Sequence, residues 1–148
     1  VFYFERTWDG GWKPPGAYPS QSLAVAATHD LPTLSGYWDG ADIETRAELG
    51  FFSSEGAKMS ALAERQREKA AIMAALRSEG LWPAGLPDDA AHGPAMTWEL
   101  ARAIHVYLAR TPAWLVLANV EDVLGHALAN YGEASSVLCF TGHRLSAL

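Results

Sequence analysis

The sequence predicts an α/β fold with a parallel sheet. Three observations carry it. Two short, nearly unbroken apolar runs, Leu23-Ala24-Val25-Ala26-Ala27-Thr28 and Trp114-Leu115-Val116-Leu117-Ala118, suit strands buried on both faces. Segments of helical periodicity separate them. Polar residues gather just past the ends of the apolar runs, where loops of such a sheet carry chemistry.

The elements follow in chain order. Val1-Phe2-Tyr3-Phe4 is aromatic and β-branched and is bounded by Asp9-Gly10-Gly11, so it reads as a first strand. Pro14, Pro15, Gly16 and Pro19 make the next stretch a loop. The second strand, over Leu23–Thr28, ends in His29-Asp30-Leu31-Pro32-Thr33. Asp42 is placed to N-cap a short helix through Leu49, with Gly50 as its stop. A longer helix runs from about Lys58 to Glu79. Leu62, Ile72, Met73 and Leu76 form its apolar face, and Glu64, Arg65, Arg67, Glu68 and Lys69 form the charged one. Pro83 to Pro94 is a loop. A third helix starts near Thr97 and runs to Arg110, with Leu100, Ile104 and Leu108 on one face. Thr111-Pro112 breaks it before the third strand, and a helical turn follows from Glu121 to Leu128.

Composition narrows the function. The 148 residues are 49% hydrophobic and 19% charged, which excludes a disordered chain. The formal net charge of −6 and the lack of a basic cluster argue against nucleic acid or an anionic membrane as partner. No apolar run approaches the roughly 18 residues of a membrane span. The single cysteine, Cys139, cannot form an internal disulfide, which points to a reducing compartment. No signal peptide is visible, and the start at Val1 suggests a piece of something longer. The five histidines show no metal-ligand spacing, so no metal is expected; no Gly-rich phosphate loop and no Gly-x-Ser-x-Gly elbow is present.

Candidate chemistry lies at the strand ends: Glu5-Arg6, His29-Asp30 and Asn119 to Asp122. Asp30 reads either as a turn-former or N-cap, or as a carboxylate facing a cleft. Trp8, Trp12, Tyr18, Tyr37 and Trp38 fall in loops or near strand ends. They are either ordinary packing or flat faces for sugar rings. Glu121-Asp122 reads as a charged first helical turn.

Specific blocks then resemble a known family. Tyr18-Pro19-Ser20-Gln21-Ser22-Leu23, Thr28-His29-Asp30-Leu31-Pro32-Thr33-Leu34 and Gly36-Tyr37-Trp38 resemble the 4-α-glucanotransferases, also called amylomaltases or disproportionating enzymes. Phe2-Tyr3-Phe4-Glu5-Arg6, Ala109-Arg110-Thr111-Pro112-Ala113 and Val120-Glu121-Asp122-Val123-Leu124-Gly125 are similar to further segments of that family. The resemblance covers nearly all of residues 1–130.

It implies the C-terminal portion of a (β/α)8 TIM-type barrel, strands six to eight, with a helical insertion between the last two strands. It also implies a cytoplasmic enzyme that moves α-1,4-glucan segments between maltooligosaccharides with retention, and no cofactor. Asp30 takes the role of the transition-state-stabilising carboxylate. His29, Trp38, Glu5 and Asn119 are its implied sugar contacts, Asn119 standing where the family usually has Gln. The nucleophile and the acid/base residue belong to earlier strands, so the isolated chain is expected to be inactive and poorly soluble. The competing readings are a non-catalytic glucan-binding or regulatory module, and a non-carbohydrate α/β domain in which Thr28 to Thr33 is only a strand-to-helix cap.

After Asn130 the content departs from the family's Pro-Gly-Thr and Pro-Asn-Trp-Arg-Arg-type segments, yet Arg144-Leu145-Ser146-Ala147 returns in register. Right length with wrong content is the mark of compensating frameshifts; genuine divergence is the alternative. Residues 131–148 are therefore read as an atypical tail. The apolar run Val137-Leu138-Cys139-Phe140 has no evident strand partner, and residues 131–143 are expected to pack unlike the family.

Overall fold

The computed structural model describes residues 1–87, 93–125 and 137–141, the last as backbone only. The element order is β1 (Leu23–Val25), α1 (Leu34–Asp39), α2 (Ala41–Glu48), α3 (Glu55–Ser78), α4 (Trp98–Ala109), β2 (Leu115–Asn119), α5 (Val120–Leu124) and β3 (Val137–Thr141). β1 and β2 are parallel neighbours, Leu23 opposite Leu115 and Val25 opposite Leu117. Four helices fill the crossover between them, so the expected α/β class with its helical segment between two parallel strands stands.

The first expected strand does not form. Phe2–Phe4 is a 3₁₀ turn, closed by the Phe4 amide on the Val1 carbonyl at 3.0 Å. Phe2 and Tyr3 are buried and Phe4 is exposed. The turn lets Phe2 meet Trp12 and Tyr107 while Tyr3 stacks on Tyr37, ring centroids 4.1 Å apart.

The third strand of the sheet comes instead from the tail. β3 pairs antiparallel with β2, Leu115 opposite Thr141 and Asn119 opposite Val137, so the apolar run there does have a partner. The sheet is mixed, in the order β1-β2-β3. Residues 131–136 and 142–148, the rest of the tail, lie outside the described residues, as does the expected boundary after residue 130.

Capping chemistry explains most helix starts. Ser54 and Thr97 accept the Ala57 and Leu100 amides, at 3.2 and 3.3 Å, and so start α3 and α4. α2 is the exception: Gly40, at φ +78°, ends α1 and begins α2, so Asp42 is not the N-cap. Its carboxylate is engaged by Arg65 at 2.8 and 3.0 Å. Gly125, at φ +71°, ends α5 at Leu124, short of the expected Leu128. α4 buries Leu100, Ile104 and Leu108 as its spacing dictates.

α3 departs from its expected pattern. Ile72, Met73 and Leu76 are buried, but so are Arg65 and Lys69, which share their face at helical spacing. Arg65 bonds Asp42 and the Tyr37 carbonyl, pairs with Glu68, and lies over the Tyr37 ring at 3.7 Å. Lys69 sits 4.9 Å from the centre of Trp38, and burial pushes its ammonium below the ordinary lysine range. The apolar stripe thus turns into a buried cationic one toward the N-terminal half of the helix.

Candidate active site

The loop between β1 and α1 holds His29 and Asp30, two of the residues singled out by the family resemblance. β1 ends at Val25, earlier than the expected Thr28, although β2 continues two residues past Leu117 to Asn119. Carried two residues on, the register sets Ala27 opposite Asn119. There the Asn119 side chain takes over from the backbone: its Nδ2–H donates to the Ala27 carbonyl at 3.2 Å. Ala26 and Ala27 stay fully buried, and the chain reaches the surface at His29.

A tight turn then presents Asp30. The Leu31 amide donates to the Thr28 carbonyl at 3.0 Å, and the Thr28 hydroxyl donates to Asp30 Oδ1. That hydroxyl holds the Asp30 carboxyl below the usual carboxylate range, with lesser help from the Asp30 backbone amide and His29. Asp30 and His29 are both exposed. Asp30 does not cap α1; Thr33 does, accepting the Gly36 amide at 3.1 Å. At pH 7 the loop therefore offers an ionised carboxylate with an imidazole beside it.

Three contacts from elsewhere hold this loop. Asn119 takes Ala27. The Tyr3 hydroxyl donates to the Pro32 carbonyl at 3.1 Å. Asp122, on the first turn of α5, accepts the Leu34 amide through Oδ1 at 2.7 Å. Asp122 is buried, and desolvation raises its carboxyl above the ordinary range despite that bond. Read from sequence as part of a charged first helical turn, it also serves as a tertiary cap on a helix 88 residues away.

The remaining expected site residues are placed differently. Trp38 is 1% exposed and donates its indole N–H to the Pro94 carbonyl at 2.7 Å; it is core and offers no face to a sugar. Trp12, Tyr18 and Tyr37 are buried too, whereas Trp8 is fully exposed. Asn119 is buried, with its amide on Ala27 and not in an open cleft. Glu5 pairs with Lys13 across the short bridge that joins Arg6 to Trp12. Next to the loop lies an open cleft of about 700 Å³, lined by Tyr3, Leu31, Pro32 and Tyr37 and by Arg6 and Glu68, which pair at 2.7 Å. Among the described residues no cluster of His, Cys, Asp or Glu is arranged to hold a metal, and no helix is long and apolar enough to cross a membrane.

Comparison with known proteins bears on the same segments. The family model described as 4-alpha-glucanotransferase matches residues 1–133, nine-tenths of the sequence. The chain belongs to the 4-alpha-glucanotransferase family. The 4-alpha-glucanotransferase of Haemophilus influenzae is 30% identical over 129 residues, covering 87% of this chain and 18% of its own length. That of Mycobacterium tuberculosis is 32% identical over 131 residues, covering 84% of this chain and 17% of its own length. Among solved structures, amylomaltase from Corynebacterium glutamicum superposes with a TM-score of 0.64 at 28% identity, over 76% of this chain and 16% of that one. This member of the family thus spans less than a fifth of the length of the relatives it matches.

Proposed function

We propose that this chain forms one side of the active site of a retaining 4-α-glucanotransferase acting on maltooligosaccharides in the cytoplasm. The observation that carries the proposal is Asp30: an exposed carboxylate, hydrogen-bonded by the Thr28 hydroxyl, on a loop fixed at the end of a parallel strand, inside the family match. β1 pairs with β2 on one side only among the described residues. On this reading its other edge continues into the rest of a (β/α)8 barrel, which supplies the nucleophile and the acid/base residue.

The reaction needs two carboxyl groups about 5–5.5 Å apart. One attacks the anomeric carbon as the glycosidic bond breaks, and the other protonates the departing oxygen. An acceptor hydroxyl then displaces the glycosyl ester, giving its proton back to that second group. Both steps pass through an oxocarbenium-like state. Asp30 places a fixed negative charge toward it, and His29 hydrogen-bonds the same sugar. Glu5 contributes at the rim, its charge balanced by Lys13 until substrate arrives. Trp38 has no sugar contact in this scheme.

The test is Asp30→Asn in the complete enzyme. Loss of one preorganised charge lowers turnover by about 10²–10³-fold. Maltotriose disproportionation should fall by at least that much, with an unchanged circular dichroism spectrum. Near-wild-type transfer by the folded variant would overturn the assignment.

A further inference from the structure

We infer that the turn joining β2 to α5 is a clamp that sets the position of the Asp30 loop, with Asn119 and Asp122 as its two positioning residues. The inference rests on the proposed role of Asp30. Two buried side chains only three positions apart hold the two ends of one loop: Asn119 takes the Ala27 carbonyl at 3.2 Å and Asp122 takes the Leu34 amide at 2.7 Å. Everything between those ends, Thr28 to Thr33, is the segment that presents Asp30.

Among the described residues the Asp30 side chain reaches no distant element. Its carboxylate is held by Thr28, two residues away. The position of the carboxylate in space is therefore inherited from the loop ends. Tyr3, on the N-terminal turn, adds a third hold at Pro32. Misplacing a reacting group by about 1 Å can reduce turnover roughly 10²-fold, so a loop end freed by one bond matters to the chemistry.

Asp122 is not explained by stability alone. Among the described residues nothing donates to its buried Oδ2, and a buried, half-satisfied carboxyl is an unfavourable group to bury. Leu34 is the first residue of α1, and Thr33 already serves the third through the Gly36 amide. Oδ1 supplies what no apolar residue of that size supplies: an acceptor aimed at the loop end.

The experiment uses the complete enzyme and three variants, Asp122→Ala, Asp122→Asn and Asn119→Ala, with maltotriose kinetics and amide exchange at Leu34. Asn keeps an acceptor oxygen, so Asp122→Asn separates the hydrogen bond from the charge. The expected result is a kcat lowered about 10–100-fold in both alanine variants with KM nearly unchanged, and a kcat within about threefold of wild type in Asp122→Asn. Leu34 amide exchange should accelerate in Asp122→Ala and recover in Asp122→Asn. The double alanine variant should lose little more than either single one, because both act on one loop. A folded Asp122→Ala enzyme with wild-type kcat, or with unchanged Leu34 exchange, overturns the clamp. A wild-type enzyme that fails to disproportionate maltotriose overturns the proposed role of Asp30 instead, and Leu34 exchange then still decides whether the clamp exists.

Discussion

Replacing Arg65 tests the buried charge network that underlies α1 and α2. Arg65 is 7% exposed and grips Asp42 with two bonds, at 2.8 and 3.0 Å, besides donating to the Tyr37 carbonyl and pairing with Glu68. In Arg65→Ala, Glu68 keeps Arg6 and the Tyr37 hydroxyl, so it is not orphaned. Among the described residues the Asp42 carboxylate keeps only Arg46, at 3.5 Å, whose side chain is about half exposed. The Tyr37 carbonyl loses its guanidinium donor. Removing one partner from a fully buried pair costs about 3–5 kcal/mol, and the partial exposure of Asp42 puts this case at the low end, about 3 kcal/mol. Arg65→Lys keeps the charge but not the fork, and should lose about 1.5 kcal/mol, the worth of one charge-assisted bond. Urea unfolding followed by tryptophan fluorescence measures both. A loss below about 1 kcal/mol for Arg65→Ala, the range of an exposed ion pair, would refute the claim that this network is desolvated and structural.

Two further substitutions probe the loop and the core. Thr28→Val removes the hydroxyl that depresses the Asp30 carboxyl, so the Asp30 titration followed by carboxyl carbon NMR should move up toward the ordinary range. The sign is that of a depressed acid: the Thr28–Asp30 interaction favours the fold above the ordinary carboxylate range and is lost as pH falls through the lowered value. An unshifted titration would show that the hydroxyl is not the cause. Ile104→Ala, at a fully buried position on α4, should destabilise the protein by about 2–5 kcal/mol in the same urea assay, and a value near zero would mean that α4 is not packed as described.

Long periodic segments were legible in the sequence, and short ones that depend on tertiary partners were not. α4 follows from Leu100, Ile104 and Leu108 with Thr97 as cap, because the local signals agree with each other. α1 does not. Leu34–Asp39 is six residues with a glycine and two aromatics, too short to form on propensity, and it is held by the burial of Leu34, Tyr37 and Trp38 and by Asp122. The burial of Arg65 and Lys69 is hidden for a related reason: their spacing marks the inner face, but their charge suggests the outer one. Asp30 is legible as a candidate because its block is distinctive. The real work of Asn119 and Asp122 lies in contacts 92 and 88 residues away, which no local pattern encodes. The aromatic turn Phe2–Phe4 misleads by composition, since its side chains suit a strand while the contacts of Phe2 with Trp12 and Tyr107 and of Tyr3 with Tyr37, which hold it as a turn, lie far along the chain.

The wide separation of those anchors also dictates an order of assembly. Closing a loop of about 90 residues carries an entropic cost that grows as (3/2)RT ln n, roughly 4 kcal/mol before the constant term. One parallel pair of three-residue contacts cannot offset that from an extended chain. The intervening helices must first collapse on each other and bring β2 within reach of β1. The Asp30 loop, tied at both ends to residues 119 and 122, therefore takes its final shape late, after most of the core exists. A nascent chain halted before Leu115 would hold the whole Thr28–Leu34 block and still lack both of the contacts that fix its ends.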